Sequence, residues 1–403
     1  MSKKSVVIVG GGAGGFFSAI NLAERKPDFD ITLLEKSNDV LGKVKVSGGG
    51  RCNVTHACFI PKDLVKFYPR GNKELLGPFH QFMTGDTMEW FESRGVPLKM
   101  EDDNRVFPVS NSSQSIIDCF LGEAKRLRIT VKKNCGVTEL SKGSDKWQLI
   151  TSFGNLEADI VIMATGSSKL MWKVLERLNH TIVEPIPSLF TFNTKDTRLR
   201  DLSGLVASSV EVKINGTKLK ERGPLLITHW GMSGPAILKL SSVGARLLHE
   251  KQYKFSISVD WCFEYDEEDI RDTFIDLKEN SPKQQIQKAR VFDLPKRLWF
   301  SFLSFCQIPA DKNWADISKK EINKLVETIK RGQFAINGKS TNKEEFVTCG
   351  GVDLKEINFK TFESKLNPNL YIVGECLNID ALTGGFNFQA AWTGGFVAAQ
   401  AIN

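Results

Sequence analysis

The sequence predicts an α/β fold whose parallel sheet is built from separated parts of the chain, and three observations predict it. Residues 6–35, VVIVGGGAGGFFSAINLAERKPDFDITLLE, run strand, glycine turn, helix, strand. A second apolar run, DIVIM at 159–163, ends in the short turn Ala164-Thr165-Gly166. Near the end, a strand at 369–373 closes in Gly374-Glu375, and LTGGFN leads into a helix over 388–402 lined with small residues.

The first stretch carries the most specific chemistry. Residues 6–9 are apolar and β-branched, as a buried parallel strand requires, and Gly10, Gly12 and Gly15 follow at G-x-G-x-x-G spacing where the helix opens. Gly10 permits the tight turn, Gly12 lets the backbone approach a pyrophosphate, and Gly15 lets the helix lie on the strand. Ala13 and Gly14 belong to the helix N-terminus, whose free N–H groups and partial positive charge suit phosphates. Glu35 ends the second strand, 31–34, twenty residues past Gly15. Its carboxylate is placed to accept hydrogen bonds from ribose hydroxyls, and it would repel a 2′-phosphate, so the site prefers FAD or NAD to NADP. The alternative is a glycine-rich turn in an unrelated α/β domain.

At 403 residues the chain has room for two or three domains, and 41% hydrophobic with 25% charged residues is the composition of an ordinary soluble globular protein. Lys3 and Lys4 before 5–22 imitate a targeting signal, but a glycine-interrupted apolar stretch is a poor h-region. No window approaches a membrane span, and a cytoplasmic protein is expected. Eight cysteines without a C-x-x-C pair argue against a metal or Fe–S site. The net charge of +7 helps an acidic partner approach without establishing nucleic-acid binding.

Between the glycine turn and DIVIM, helical spacing predicts helices around 75–94 and over 113–127. Strands at 129–131, 136–140, 147–151 and 156–158 read as a β-meander. From 187 to 249, short alternating runs such as SSVEVKINGTKL predict antiparallel β structure, and from 265 to 330 charged amphipathic helices follow. The expected organisation is a first part of a cofactor domain over 1–189, a β-rich insert over 190–260, a helical insert over 261–345 and a second part of the cofactor domain over 346–403, resuming near Phe346. The glycine turn before the last helix, Gly384-Gly385-Phe386-Asn387, suits N–H groups aimed at the pyrimidine edge of a flavin. Its alternative is a plain helix cap.

GKVKVSGGGRCNVT at 42–55, THWGMSGPAIL at 228–238, VTCGGVDLK at 347–355 and the tail GECLNIDALTGGFNFQAAWTGG together resemble a family of bacterial NAD(P)/FAD-dependent oxidoreductases. That family is similar to proposed bile-acid-pathway reductases, and a member is described as a large-subunit ribosomal RNA dihydrouridine synthase. The resemblance covers essentially the whole chain. It implies a discontinuous FAD domain of the glutathione-reductase type interrupted by a β-barrel and a helical insert, with FAD as cofactor and NAD(P)H as transient electron donor. In this sequence Asn378 and Ala381 stand where the more usual form has aspartate and glycine, while Asp380 remains available to the cofactor.

Within SGGGRCN, the run Ser47, Gly48, Gly49, Gly50 lets backbone come within contact distance of a flat ring or a pyrophosphate. Arg51 and Lys43 either pair with phosphate or flavin charge, or are solvated surface cations. Lys36, Asn53 and Val137 complete the expected cofactor contacts. Reducing a C=C bond requires hydride at one carbon and a proton at the other, which makes Cys52 and His229 the candidate acids. Each has a bland reading beside it, a structural thiol and a loop histidine. With a single dinucleotide fingerprint, NAD(P)H has no second Rossmann site. Ribosomal RNA is one expected partner, and the basic stretch 283–297 is either a phosphate contact or a solvated helix face. The alternatives are a flavin enzyme acting on a free enoyl-type or amine substrate, and a non-catalytic FAD-containing RNA-binding protein.

Overall fold

The computed structural model describes residues 3–340 and 347–403, so Phe346, the expected point of return to the first domain, lies outside them. The described residues of Met1–Pro187 and Lys343–Asn403 form one compact unit and those of Ser188–Asn342 a second.

In chain order the first unit contributes β1 (Ser5–Val9), α1 (Ala13–Arg25), β2 (Asp30–Leu34), α2 (Gln114–Arg126), β3 (Thr130–Lys132), β4 (Ile160–Met163), β5 (Leu370–Ile372) and α3 (Phe386–Ala401). The five strands lie parallel in the order β5-β4-β1-β2-β3. Val7 of β1 is in register with Thr32 on one side and Val161 on the other. Two short antiparallel strands, Ile357–Asn358 and Glu363–Ser364, extend the sheet beyond β5. Four of the five β1 residues and all of β4 are buried, which is why both read as unbroken apolar runs rather than alternating ones. Helices α1 and α3 approach closely where Gly14 meets Gly395: a Cβ on Gly395 would lie 3.1 Å from the Gly14 carbonyl oxygen.

Three local expectations change. The helix expected around 75–94 is two helices, Asn72–Phe79 and Thr84–Glu92. Pro78 lies in the last turn of the first, and Asp86 restarts the second by accepting the Met83 N–H at 2.7 Å. Residues 130–132 are not part of the meander but the edge strand β3, while Val137–Lys142, Trp147–Thr151 and Gly154–Ala158 form the three-stranded antiparallel sheet. The β reading of 187–249 fails over its last part, where Pro235–Val243 and Ala245–Glu250 are helical. Pro235 occupies the first helical position, which its missing N–H and fixed φ favour.

The second unit is a seven-stranded antiparallel sheet with helices inserted in two of its connections, Ser233 to Lys254 and Asp260 to Gly332. Its edge strands, Gly332–Asn337 and Lys339–Ser340, are separated in sequence only by Gly338. The sheet therefore curls until its edges meet: the Gly338 N–H donates to Tyr253 and its carbonyl accepts from Asn193, both within 3.0 Å. Thus the stretch expected to be helical through 345 contains the strands that close the barrel. Helices Glu267–Asn280, Lys296–Cys306 and Lys319–Lys330 fill the connection from Lys254–Asp260 to Gly332–Asn337. Residues 283–295 are loop and a short 3-10 turn rather than a helix face, with Ile286, Ala289 and Val291 inward and Lys283, Lys288 and Arg290 exposed. No helix among the described residues is long and apolar enough to cross a membrane.

Candidate functional site

The β1–α1 turn is shaped by three glycines for three different reasons. Gly10 has φ +114°, and a Cβ there would lie 2.4 Å from the Ala164 carbonyl oxygen at the end of β4. A Cβ on Gly15 would lie 1.9 Å from the Gly10 carbonyl oxygen, so the helix can start against its own loop only without a side chain. Gly12, at the N-cap of α1, has φ −95°, and nothing lies within 4 Å of where its Cβ would be. Neither backbone nor packing asks for glycine there; an approaching phosphate would. Ala13 and Gly14 form the first turn behind it.

Glu35 follows β2 and clamps this turn. One carboxylate oxygen accepts the Gly11 N–H at 2.9 Å and the other the Ser37 N–H at 2.8 Å. Exposed Lys36 packs its Cβ near Gly136, and buried Val137 opens the meander beside it.

A second group gathers at the ends of β4 and β5. Gly10 and Ala164 touch, Thr165 Oγ1 lies 3.6 Å from Cys376 Sγ, and Gly166 faces Glu375, which follows Gly374. Lys43 pairs with Glu375 and lies 3.5 Å from Ser167 Oγ, and the other Glu375 oxygen accepts the Thr348 N–H at 3.1 Å. Thr348 was missed by sequence reasoning. It is 2% exposed, yet among the described residues its Oγ1 has no hydrogen-bond partner, and the buried Oδ1 of Asn378 has none either. An unmet buried hydroxyl costs about 1–3 kcal/mol, so these atoms fit a bound group that supplies the missing contacts.

The SGGGRCN segment is tied to the start of α3. Ser47 Oγ donates to the Val44 carbonyl, and the chain turns back through left-handed Gly48, Gly49 and Gly50. Arg51 pairs through Nη1 with Glu101 at 2.6 Å and stacks 3.9 Å from the Phe107 ring, with a third of its side chain exposed. Cys52 is fully buried, and desolvation pushes its thiol up to about 12 against a smaller pull from Ser47. With its amide oriented to match its partners, Asn53 accepts the Gly385 N–H at 3.0 Å and donates to the carbonyls of Thr55 at 2.9 Å and Val106 at 3.3 Å. Gly384 precedes Gly385, whose Cβ would collide with the Thr55 backbone at 2.7 Å. Phe386 stacks on Phe67 at 4.2 Å, and Tyr68 donates to its carbonyl at 2.6 Å. Asn387 holds the Ala381 backbone through both amide atoms. Asp380, read from sequence as available to the cofactor, is fully buried and held by Arg70. His229 is exposed at a hairpin tip of the second unit.

A family model described as the HI0933-like protein Rossmann domain matches residues 4–401. The chain belongs to the HI0933-like family. Its relatives include the ribosomal RNA dihydrouridine synthase of Escherichia coli (strain K12), 28% identical over 419 residues and covering 99% of this chain and 98% of that protein. The 3-dehydro-bile acid delta(4,6)-reductase of Clostridium scindens is 25% identical over 404 residues, covering 98% of each. Among solved structures, 3-ketosteroid-delta4-(5alpha)-dehydrogenase from Rhodococcus jostii RHA1 matches 100% of this chain and 97% of that one, with a TM-score of 0.54 at 13% identity, a likeness of fold. This HI0933-like chain is an FAD-dependent oxidoreductase with a glutathione-reductase-type fold. The residues present fit FAD: an open N-cap at Gly12 for the pyrophosphate, Glu35 at the ribose position, and unmet polar atoms at Thr348 and Asn378.

Proposed function

We propose that this HI0933-like protein reduces a uridine of large-subunit ribosomal RNA to dihydrouridine, with NAD(P)H as the transient electron donor. The observation that carries the reading is the end-to-end match to the ribosomal RNA dihydrouridine synthase of Escherichia coli, 28% identity across 99% of this chain. The charge distribution supports it. Residues 188–342 hold 25 Lys and Arg against 19 Asp and Glu, so +6 of the chain's +7 resides in the second unit, where it favours approach of a polyanion.

When bound and reduced by NAD(P)H, FAD would supply the hydride. The chain's own residues do the rest: the Gly10–Gly15 turn and Glu35 hold the dinucleotide, and Asn53 fixes the start of α3 against the SGGGRCN segment. A proton must reach the second carbon. Cys52, fully buried with its thiol pushed up to about 12, keeps its proton at neutral pH and is a weak donor; His229 is exposed.

Nucleoside mass spectrometry of large-subunit ribosomal RNA from a deletion strain and its parent tests the substrate. Loss of dihydrouridine, restored by the wild-type gene and not by a Gly12→Ala copy, is expected; an unchanged level refutes the reading. Stopped-flow mixing with NADH and NADPH tests the donor, and no flavin bleaching by either refutes it. One observation favours a second reading, reduction of a free enone: the 25% identity to the bile acid reductase over 98% of both chains. Turnover of unsaturated steroids with unchanged dihydrouridine would select it.

A further inference from the structure

Seven of the eight tryptophans are at most 6% exposed, and the eighth, Trp230, is 69% exposed. It sits beside exposed His229 at the tip joining strands Lys220–Ile227 and Gly231–Ser233. A single exposed indole on a loose loop would mean little. This tip is fixed. Thr228 and Gly231 bond to each other through their backbones, at 2.7 Å from the Thr228 N–H, and Thr228 Oγ1 accepts the N–H groups of Trp230 and Gly231 at 3.3 and 3.1 Å. The Trp230 carbonyl accepts the Thr194 N–H at 3.0 Å. A Cβ on Gly231 would lie 2.2 Å from the Phe192 carbonyl oxygen, so the tip is seated on the neighbouring strand. The backbone of Trp230 is therefore held on both sides while its ring faces solvent. Exposed Lys195 follows Thr194 in the chain.

We propose that Trp230 is a stacking platform for an unpaired base of the RNA substrate, an inference that rests on the reading of this protein as a ribosomal RNA reductase. Three features of the tip match what such a platform needs. The ring is flat, amphipathic and already ordered, so stacking costs little conformational entropy. The unit that carries it holds the chain's positive charge, which attracts the phosphates flanking a base. A splayed base in single-stranded RNA presents the bare π-face that an exposed indole can cover.

Because Trp230 is the one exposed tryptophan, acrylamide quenching of the FAD-loaded full chain reports on it. An unmodified fragment of large-subunit ribosomal RNA should protect that emission. Trp230→Ala should weaken binding of the fragment by roughly 5- to 150-fold, the range that base–aromatic stacking supplies. The slope of log affinity against log salt should stay at the wild-type value, since phosphate contacts are untouched. Trp230→Phe should retain most of the affinity, and both variants should keep wild-type flavin absorbance and melting. Wild-type protein that binds the RNA without protection, or a Trp230→Ala variant that binds as tightly as wild type, overturns the stacking role and leaves the RNA reading intact. Failure of the wild-type chain to bind the RNA overturns both. Protection by NADPH or by an unsaturated steroid in place of RNA assigns the ring to a small molecule and overturns the proposal.

Discussion

Replacing Gly12 by alanine separates the cofactor site from the fold, because the two neighbouring glycines of the fingerprint do opposite things. The new methyl at position 12 meets no atom within 4 Å, and φ −95° is open to alanine. Two small terms act on the empty fold: the unfolded chain loses entropy, a gain of about 0.4–1 kcal/mol, and alanine is a poorer N-cap than glycine by a similar amount. The apo protein should thus keep wild-type stability within about 1 kcal/mol. Gly15→Ala is different, since its methyl would lie 1.9 Å from the Gly10 carbonyl oxygen. The helix must move off the turn, at a cost of about 1–3 kcal/mol or more. For FAD the order reverses. Saturation at a hundredfold excess over Kd adds about 2.7 kcal/mol to the wild-type protein, worth roughly 3 °C in Tm for a chain of this length. Gly12→Ala should lose most of that shift by placing a methyl where the pyrophosphate must lie. Thermal melts with and without FAD, with the flavin-to-protein absorbance ratio after gel filtration, make the comparison. A Gly12→Ala protein that retains FAD, or that melts like Gly15→Ala without it, would refute the assignment of the open N-cap to phosphate.

Asp380→Asn should destabilise the chain by about 3–5 kcal/mol, because it leaves the Arg70 guanidinium without its buried carboxylate; urea unfolding unchanged from wild type would contradict this. Burial raises the Glu356 carboxyl, but hydrogen bonds from Thr181 and His180 outweigh it and hold the group below the usual 4.5. A depressed carboxyl contributes stability that is intact above 4.5 and lost as pH falls through the folded value. Glu356→Gln should therefore flatten part of the acid limb of a stability titration, and an unaltered limb would show the contacts to be neutral. Cys52, fully buried with its thiol pushed up to about 12, should resist iodoacetamide at pH 8 while the partly exposed Cys58 reacts. Mass mapping of early labelling at Cys52 would sink that expectation.

What was legible in the sequence follows the range of the interaction behind it. β1 and the glycine turn announce themselves because strand, turn and helix are local, and each glycine answers to atoms a few residues or one strand away. The break at Pro78 and the helix at Pro235 also had local signals, a proline in a last turn and a proline at a helix start, but the surrounding apolar spacing and alternation suggested otherwise. Residues 130–132 were misassigned because a three-residue strand carries no information about its partner. Whether it extends a meander or lines the edge of a parallel sheet depends on β2, about a hundred residues earlier. Barrel closure at Gly338 depends in the same way on Asn193 and Tyr253.

The charged residues of the site show the same limit more sharply. Lys43, Arg51 and Asp380 all looked free to meet a cofactor, and each has a partner of opposite charge: Glu375, Glu101 and Arg70, separated from them by 332, 50 and 310 residues. A sequence shows a charge but not its neutralising neighbour, so it overstates how many charges remain for a ligand. The Gly385 N–H, which the glycine turn seemed to offer to a flavin, is taken by Asn53. The opposite error hides Thr348, an unremarkable strand residue by type. Only its burial, and the absence among the described residues of any partner for its hydroxyl, mark it. The features of this chain that fit a dinucleotide are accordingly backbone room at Gly12 and, among the described residues, unmet neutral polar atoms at Thr348 and Asn378.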